Sequence, residues 1–326
     1  MLPSTYSAAT ASDLIADINA ANTAGGANTI VLTAPTSSSY VLTAVNNTTD
    51  GATGTPVISG GTKKVPADNL MIVGNGDFIA RGSGTPAFRL FDVASGGSLT
   101  LQNMTVYNGL AYGPGTAAQG GAIRNAGALI LSQVTAWFNE AFGLFYQSKN
   151  GRQGSSGDAA GGGIWSSGSL TIENQSAIQY NTVIGVGTGS GYGGGICIAG
   201  GTANISSSTI GGSPLSGGGD GNTALGGFNP STGNYTPFGP AAGYGGGIYV
   251  GTGTVTFTND LIRYNSAGSY VSMSFSGFND LGFGGGIYIA SGAKVYLDLY
   301  TLGDCTGNTG LSPSAQADIY GTYTVL

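Results

Sequence analysis

Five times the chain spells a cluster of small residues running into isoleucine: Gly120-Gly121-Ala122-Ile123, Gly161-Gly162-Gly163-Ile164, Gly193-Gly194-Gly195-Ile196, Gly245-Gly246-Gly247-Ile248 and Gly284-Gly285-Gly286-Ile287. An alternating, strand-like segment follows each, and four of the five then reach an asparagine that closes a run of turn-forming residues. Self-similarity of this kind predicts a solenoid, in which each repeat is one coil that buries its apolar face only by stacking on its neighbours.

Superposing the repeats gives the register. Leu99, Leu129, Leu170, Ala203, Val255 and Val295 share one position. Leu101, Leu131, Ile172, Ile205, Phe257 and Leu297 lie two residues on, and Val106, Ala136, Ala177, Ile210, Ile262 and Leu302 come later in the same coils. The residues between the first two columns (Thr100, Thr171, Asn204, Thr256) are mostly polar. A period of two predicts strands with these columns in the core, stacked as parallel sheets about 4.8 Å apart. Roughly nine or ten coils would make a rod on the order of 45 Å long. Earlier strands are expected at 29–33, 40–44, 69–73 and 88–93. Glycine clusters suit the corners, where a left-handed φ or close backbone approach is needed.

A length of 326 residues fits one domain growing by coils, with a cap region at 1–28 and coils over 29–326. Ser12 to Asn22 reads as an amphipathic helix capped by Ser12, with Leu14, Ile15, Ile18 and Ala21 on one face, covering the apolar end of the stack. Asn103, Asn174 and Asn259 are predicted to point inward, with Asn108, Asn139, Asn181 and Asn265 ending segments. Stacked asparagines can satisfy buried backbone groups at a bend. Insertions at 140–160, 182–192, 223–244 and 266–283 occupy one point of successive coils, so they emerge on one side of the rod. Among their aromatic residues are Tyr146, Phe228, Tyr235, Phe238, Tyr270, Phe275 and Phe278. They either fold back as a second apolar layer or form a contact surface.

Charge narrows the partners. Nine basic against fifteen acidic residues, net −6, leave no basic stripe for nucleic acid or an anionic membrane. No apolar run approaches the 18 residues of a spanning helix. From Asn174 to Asn259 the one Asp, Glu, Lys or Arg is Asp220, and so neutral and hydroxyl-rich a stretch is typical of extracellular, fibrous or adhesive material. The start lacks a leader's basic and apolar segments, so a secreted protein would be numbered after its removal. The closing Thr322-Tyr323-Thr324-Val325-Leu326 reads as an uncapped strand, expected to continue or to dock head to tail. Cys197 and Cys305 show no metal or redox spacing and are expected free and buried.

Candidate chemistry is sparse. Without histidine the commonest general base is missing. Asp260 with Arg263 is the best acid–base pair for a lyase or hydrolase, against the plainer reading of a solvated ion pair. Gly217-Gly218-Gly219-Asp220-Gly221-Asn222 resembles a calcium nonapeptide but occurs once, so no cofactor beyond a single calcium at Asp220 is entertained. The residue after each repeat isoleucine (Arg124, Trp165, Cys197, Tyr249, Tyr288) should face outward. Trp165, Tyr249 and Tyr288 would offer flat faces to sugar rings unless the insertions cover them, which is the favoured expectation.

From about Asp13 onward the chain resembles bacterial right-handed parallel β-helix surface proteins, most fully where Gly245 to Tyr249 lead into Thr254 to Phe257 and Asn265. The Gly120 to Ile123 tetrapeptide is similar to that of chlamydial polymorphic outer-membrane proteins, without their regular Phe-x-x-Asn. The resemblance implies a right-handed, pectin-lyase-like all-β helix and a secreted, cell-surface or matrix role. It transfers no site, because fold does not carry activity and the Gly-His-Gly of polygalacturonases needs histidine. The expectation is a non-enzymatic structural or adhesive protein, an adhesin or filament that self-assembles. The competing expectation is a carbohydrate-active enzyme or polysaccharide-binding module.

Overall fold

The computed structural model describes residues 3–144, 157–212, 220–229, 234–235, 241–269, 281–310 and 318–326. Its regular structure is nearly all β, with strands paired mostly in parallel in stacked sheets, a pattern consistent with a parallel β-helix. The main sheet runs through ten rungs from Ser4–Ala8 to Thr324–Val325. A second sheet stacks the strands that follow the glycine clusters, from Phe91–Val93 to Ile319–Tyr320.

Alternation explains the main sheet. Leu99 pairs with Leu129, Leu129 with Leu170, Leu170 with Ala203, and the column continues through Val255 to Val295. The column two residues on keeps the same register to Leu297, and both lie in one buried core with the repeat isoleucines. The third column needs correction at two places. Ala136 pairs with Ile178 rather than with Ala177, and Ile262 pairs with Cys305 rather than with Leu302. In the first case both Asn174 and Gln175 adopt left-handed φ (56° and 65°), so that corner holds one residue more. In the second, a short helix α2 (Leu299–Asp304) is inserted ahead of the strand.

Helix α1 (Ala11–Ala24) buries Leu14, Ile18 and Ala21 in the main core beside the first strands. Its cap is Thr10, not Ser12. The Thr10 hydroxyl accepts from Asp13 N–H while Asp13 reaches back to Thr10 N–H, a reciprocal box that Ser12, already inside the helix, cannot form.

Asn103, Asn174 and Asn259 do not point inward. All three are exposed, with φ of 53°, 56° and 60°, and they turn the first corner because a short amide side chain tolerates that region. The inward ladder is instead Asn139, Asn181, Asn222, Asn265 and Asn308, all buried. Each main-chain N–H and side-chain amide donates to the Oδ1 of the next rung, at 2.9 to 3.1 Å, and Asp318 Oδ1 accepts from Asn308 as the final rung.

The ladder explains the glycine clusters. Gly193 has φ +70°, which a side chain rarely adopts. A methyl at Gly194 would sit 2.3 Å from Gly246 O, and one at Gly195 would sit 2.9 Å from Asn222 Nδ2. The first glycine therefore turns the chain, the second lets neighbouring coils approach, and the third makes room for the asparagine.

The described residues that flank the insertions are stacked strands. The insertions start in a sheet running from Leu110–Gly113 through Glu140–Gly143, Thr182–Val186, Thr223–Asn229 and Ser266–Ser269 to Thr309–Gly310. They end in a sheet of Ala159–Ala160, Gly191–Tyr192, Gly243–Tyr244 and Gly282–Phe283. A separate small-residue core of Ala111, Ala118, Ala141, Ala159, Val183 and Ala224 lies in this wing. Tyr146, Phe238, Tyr270, Phe275 and Phe278 lie outside the described residues, as do the side chain of Tyr235 and the segment just before Asp220.

Candidate functional site

The outward row is continuous: Asp92, Arg124, Trp165, Cys197, Tyr249, Tyr288 and Tyr320 are successive partners across the second sheet. Its aromatic end is a stack, with Tyr249 to Tyr288 at 5.4 Å and Tyr288 to Tyr320 at 5.1 Å, ring planes within 8°. A parallel stack formed by Tyr192, Tyr244 and Phe283, the residues just before the glycine clusters, leans on it. Tyr192 meets Tyr249, and Tyr244 meets Tyr288, edge to face at 4.9 Å. The row is therefore partly covered by the residues that precede the glycine clusters. Burial, followed by neighbouring Cys197 and phenols, raises Tyr249, and burial pushes the Cys197 thiol up. A buried thiol held protonated is a poor nucleophile.

The charged end is tied down. Arg124 Nη1 lies 3.0 Å from Asp92 Oδ1 and 3.2 Å from Asp50 Oδ2, with its guanidinium 5.2 Å from the Trp165 ring centre. Fully buried Arg89 donates to the carbonyls of Asp50, Thr116 and Gln119, pinning the Asp50 loop to the 115–119 turn. Burial lowers Arg89 to about 10, and burial raises Asp92 in spite of Arg124 and Arg89 beside it.

Asp260 and Arg263 do not form a pair. Arg263 bonds Asp304, one coil on. Asp260 is fully buried at the first corner, where Oδ1 accepts Ser208 N–H at 2.9 Å and Oδ2 accepts Thr258 N–H at 3.0 Å. Its own N–H donates to Thr301 Oγ1, which makes it a rung in a second polar ladder. Burial pushes its carboxyl up to about 7. Such a perturbed value in a cleft would suggest catalysis. Here both oxygens face backbone donors instead. Asp298 caps α2, accepting from Thr301 and Asn259.

Asp220 is buried, and its carbonyl accepts from Tyr180 N–H. Among the described residues no three His, Cys, Asp or Glu side chains gather in a way that could hold a metal ion. Phe228 packs edge-on against Phe142 in the wing, at 5.5 Å. Cys197 and Cys305 are free and buried. No helix is long and apolar enough to cross a membrane among the described residues.

Sequence reasoning passed over Asn222, Asn308 and Asp318, although an asparagine one residue before each insertion was a usable signal. It also passed over Tyr107, Trp137, Phe138 and Tyr180, which meet at the second corner. No protein-family model, no curated protein and no solved structure matches this chain.

Proposed function

We propose that this is a non-enzymatic structural or adhesive protein of the extracellular space or cell surface, which associates with copies of itself. In this reading the fold is a right-handed β-helix of the Gly-Gly-Gly-Ile surface-protein kind, with α1 closing one end of the stack. The observation that carries it is where the ionisable groups go. Asp260, Asp298 and Asp318 serve as acceptors for backbone or ladder groups, and Arg89, Arg124 and Arg263 hold loops and coils together. Little charge of either sign remains over 174–259 to keep copies apart. The aromatic insertions are the proposed contact side.

Negative-stain electron microscopy across concentration, with and without calcium, tests the reading. Ordered filaments or sheets that grow with concentration are expected. Short dispersed rods at every concentration would retire self-association. A dependence on calcium that is lost in Asp220→Asn would assign Asp220 a ligand role.

A further inference from the structure

At the second corner most coils turn the chain at the residue just before the ladder position. Asn108 does so with φ 59°, an ordinary choice, and Gly307 does so in the last coil with φ 71°. Between them Phe138, Tyr180 and Tyr264 adopt φ of 51°, 54° and 58°. Bulky residues there are outliers that cost roughly 1–3 kcal/mol. The first corner by contrast uses only amides and a hydroxyl: Asn103, Gln133, Asn174, Gln175, Ser207 and Asn259. Phe138 is also 46 % exposed, so the chain bears backbone strain and apolar exposure where asparagine would carry neither.

Phe138 and Tyr180 belong to a cluster. Phe138 stacks on Tyr180 at 4.7 Å, Trp137 lies 5.0 Å from Phe138, and Tyr107 lies 5.3 Å from Trp137. Thr105 and Thr135 face out two residues before Tyr107 and Trp137, and Gln179 pairs beside Trp137. The neighbouring cation, Arg81, already donates to the Asn108 and Thr85 carbonyls. The patch is thus an uncharged set of flat rings on successive coils, flanked by hydroxyl and amide groups.

From this geometry we infer that the Tyr107–Trp137–Phe138–Tyr180 corner is a binding platform for a neutral polysaccharide, one whose equatorially substituted pyranoses present flat C–H faces. Ring faces take the sugar's apolar side, and Thr105, Thr135 and Gln179 reach its hydroxyls. A protein partner fits less well. Four partly exposed aromatic side chains offer on the order of 300 Å², well below the ~800 Å² per partner of a stable protein interface. The inference is independent of self-association and of the row at Trp165.

The chain has two tryptophans, so Trp165→Phe leaves Trp137 as sole indole reporter. Cellohexaose or xylohexaose is expected to shift or quench its emission, and polygalacturonate to do so less. In affinity electrophoresis Trp137→Ala is expected to weaken retardation about ten-fold. The double change Phe138→Asn with Tyr180→Asn should abolish it while the melting temperature holds or rises, since strain is relieved. Unchanged emission at millimolar glycan, stronger binding of polygalacturonate, or retardation indifferent to these variants would overturn the platform. So would a double variant that loses self-association in sedimentation velocity while the wild type binds no glycan, which would make the corner a contact between copies.

Discussion

Asn222 shows how much one amide does in this molecule. Its Oδ1 accepts from both the N–H and the side chain of Asn181, and its Nδ2 donates to Ile178 O at 2.7 Å and to Asn265 Oδ1. Asn222→Ala would remove these four buried hydrogen bonds, and each donor or acceptor left unsatisfied costs about 1–3 kcal/mol. The expected loss is roughly 3 kcal/mol or more in urea unfolding. Asn174→Ala, at an exposed corner, is expected to cost about 1 kcal/mol, chiefly backbone strain. Equal losses would mean the ladder adds nothing beyond turn geometry. Sequence reasoning assigned Asn222 to a calcium-like run because Gly221 and Asp220 precede it. In the structure Asn222 is the rung, and Gly221 lets Tyr264 O of the next coil approach, where an added methyl would sit 1.7 Å away.

Coil corners obey a steric rule that separates glycines which look alike in sequence. A methyl at Gly194 would strike Gly246 O of the next coil, at 2.3 Å, and Thr223 C at 2.5 Å. Backbone on both sides belongs to neighbouring rungs, so relief requires the coils to part. Gly84 has φ +71° with nothing within 4 Å of the added carbon. Gly84→Ala is expected to cost about 1 kcal/mol of backbone strain. Gly194→Ala should instead lower the melting temperature by several-fold more, and similar shifts for both would refute close stacking as the reason for the cluster. The repeat motif was legible because it recurs. Which of its glycines serve the turn and which the stacking was not, since the atoms they would strike lie in other coils.

Across the whole molecule, buried carboxyls dictate an unusual response to pH. Burial raises Asp17, Asp68, Asp92, Glu140 and Asp260, the last to about 7, while against its slight burial hydrogen bonds from Thr301 and Asn259 hold Asp298 down. A carboxyl whose folded pKa is raised keeps a proton that the unfolded chain releases from pH ~4. Its stabilising contribution is present below that value and is lost as pH rises toward the folded pKa. For Asp260 the window is pH ~4 to ~7 and the effect on the order of a few kcal/mol. Melting temperatures are therefore expected to be higher near pH 4 than near pH 7, with a flatter profile in Asp260→Asn. A melting temperature that climbs steadily from pH 4 to 7 would contradict this assignment.

The parallel stacking of strands and the two inner strand columns could be read from residue order. Alternating burial and glycine corners are local constraints, and every repeat restates them. Tertiary structure alone decided what depends on contacts between coils. Asn139 and Asn181 are 42 positions apart yet share a hydrogen bond, and Asp260 meets Ser208 across 52. An extra left-handed residue at Gln175 moved Ile178 into the core in place of Ala177, and α2 gave Cys305 the place expected for Leu302. Asp260 and Arg263, three residues apart, were drawn to different partners because each faces the adjacent coil more closely than it faces the other. In a stacked fold a side chain's partners are set by rung spacing, and residue order reveals that spacing only where insertions do not change it.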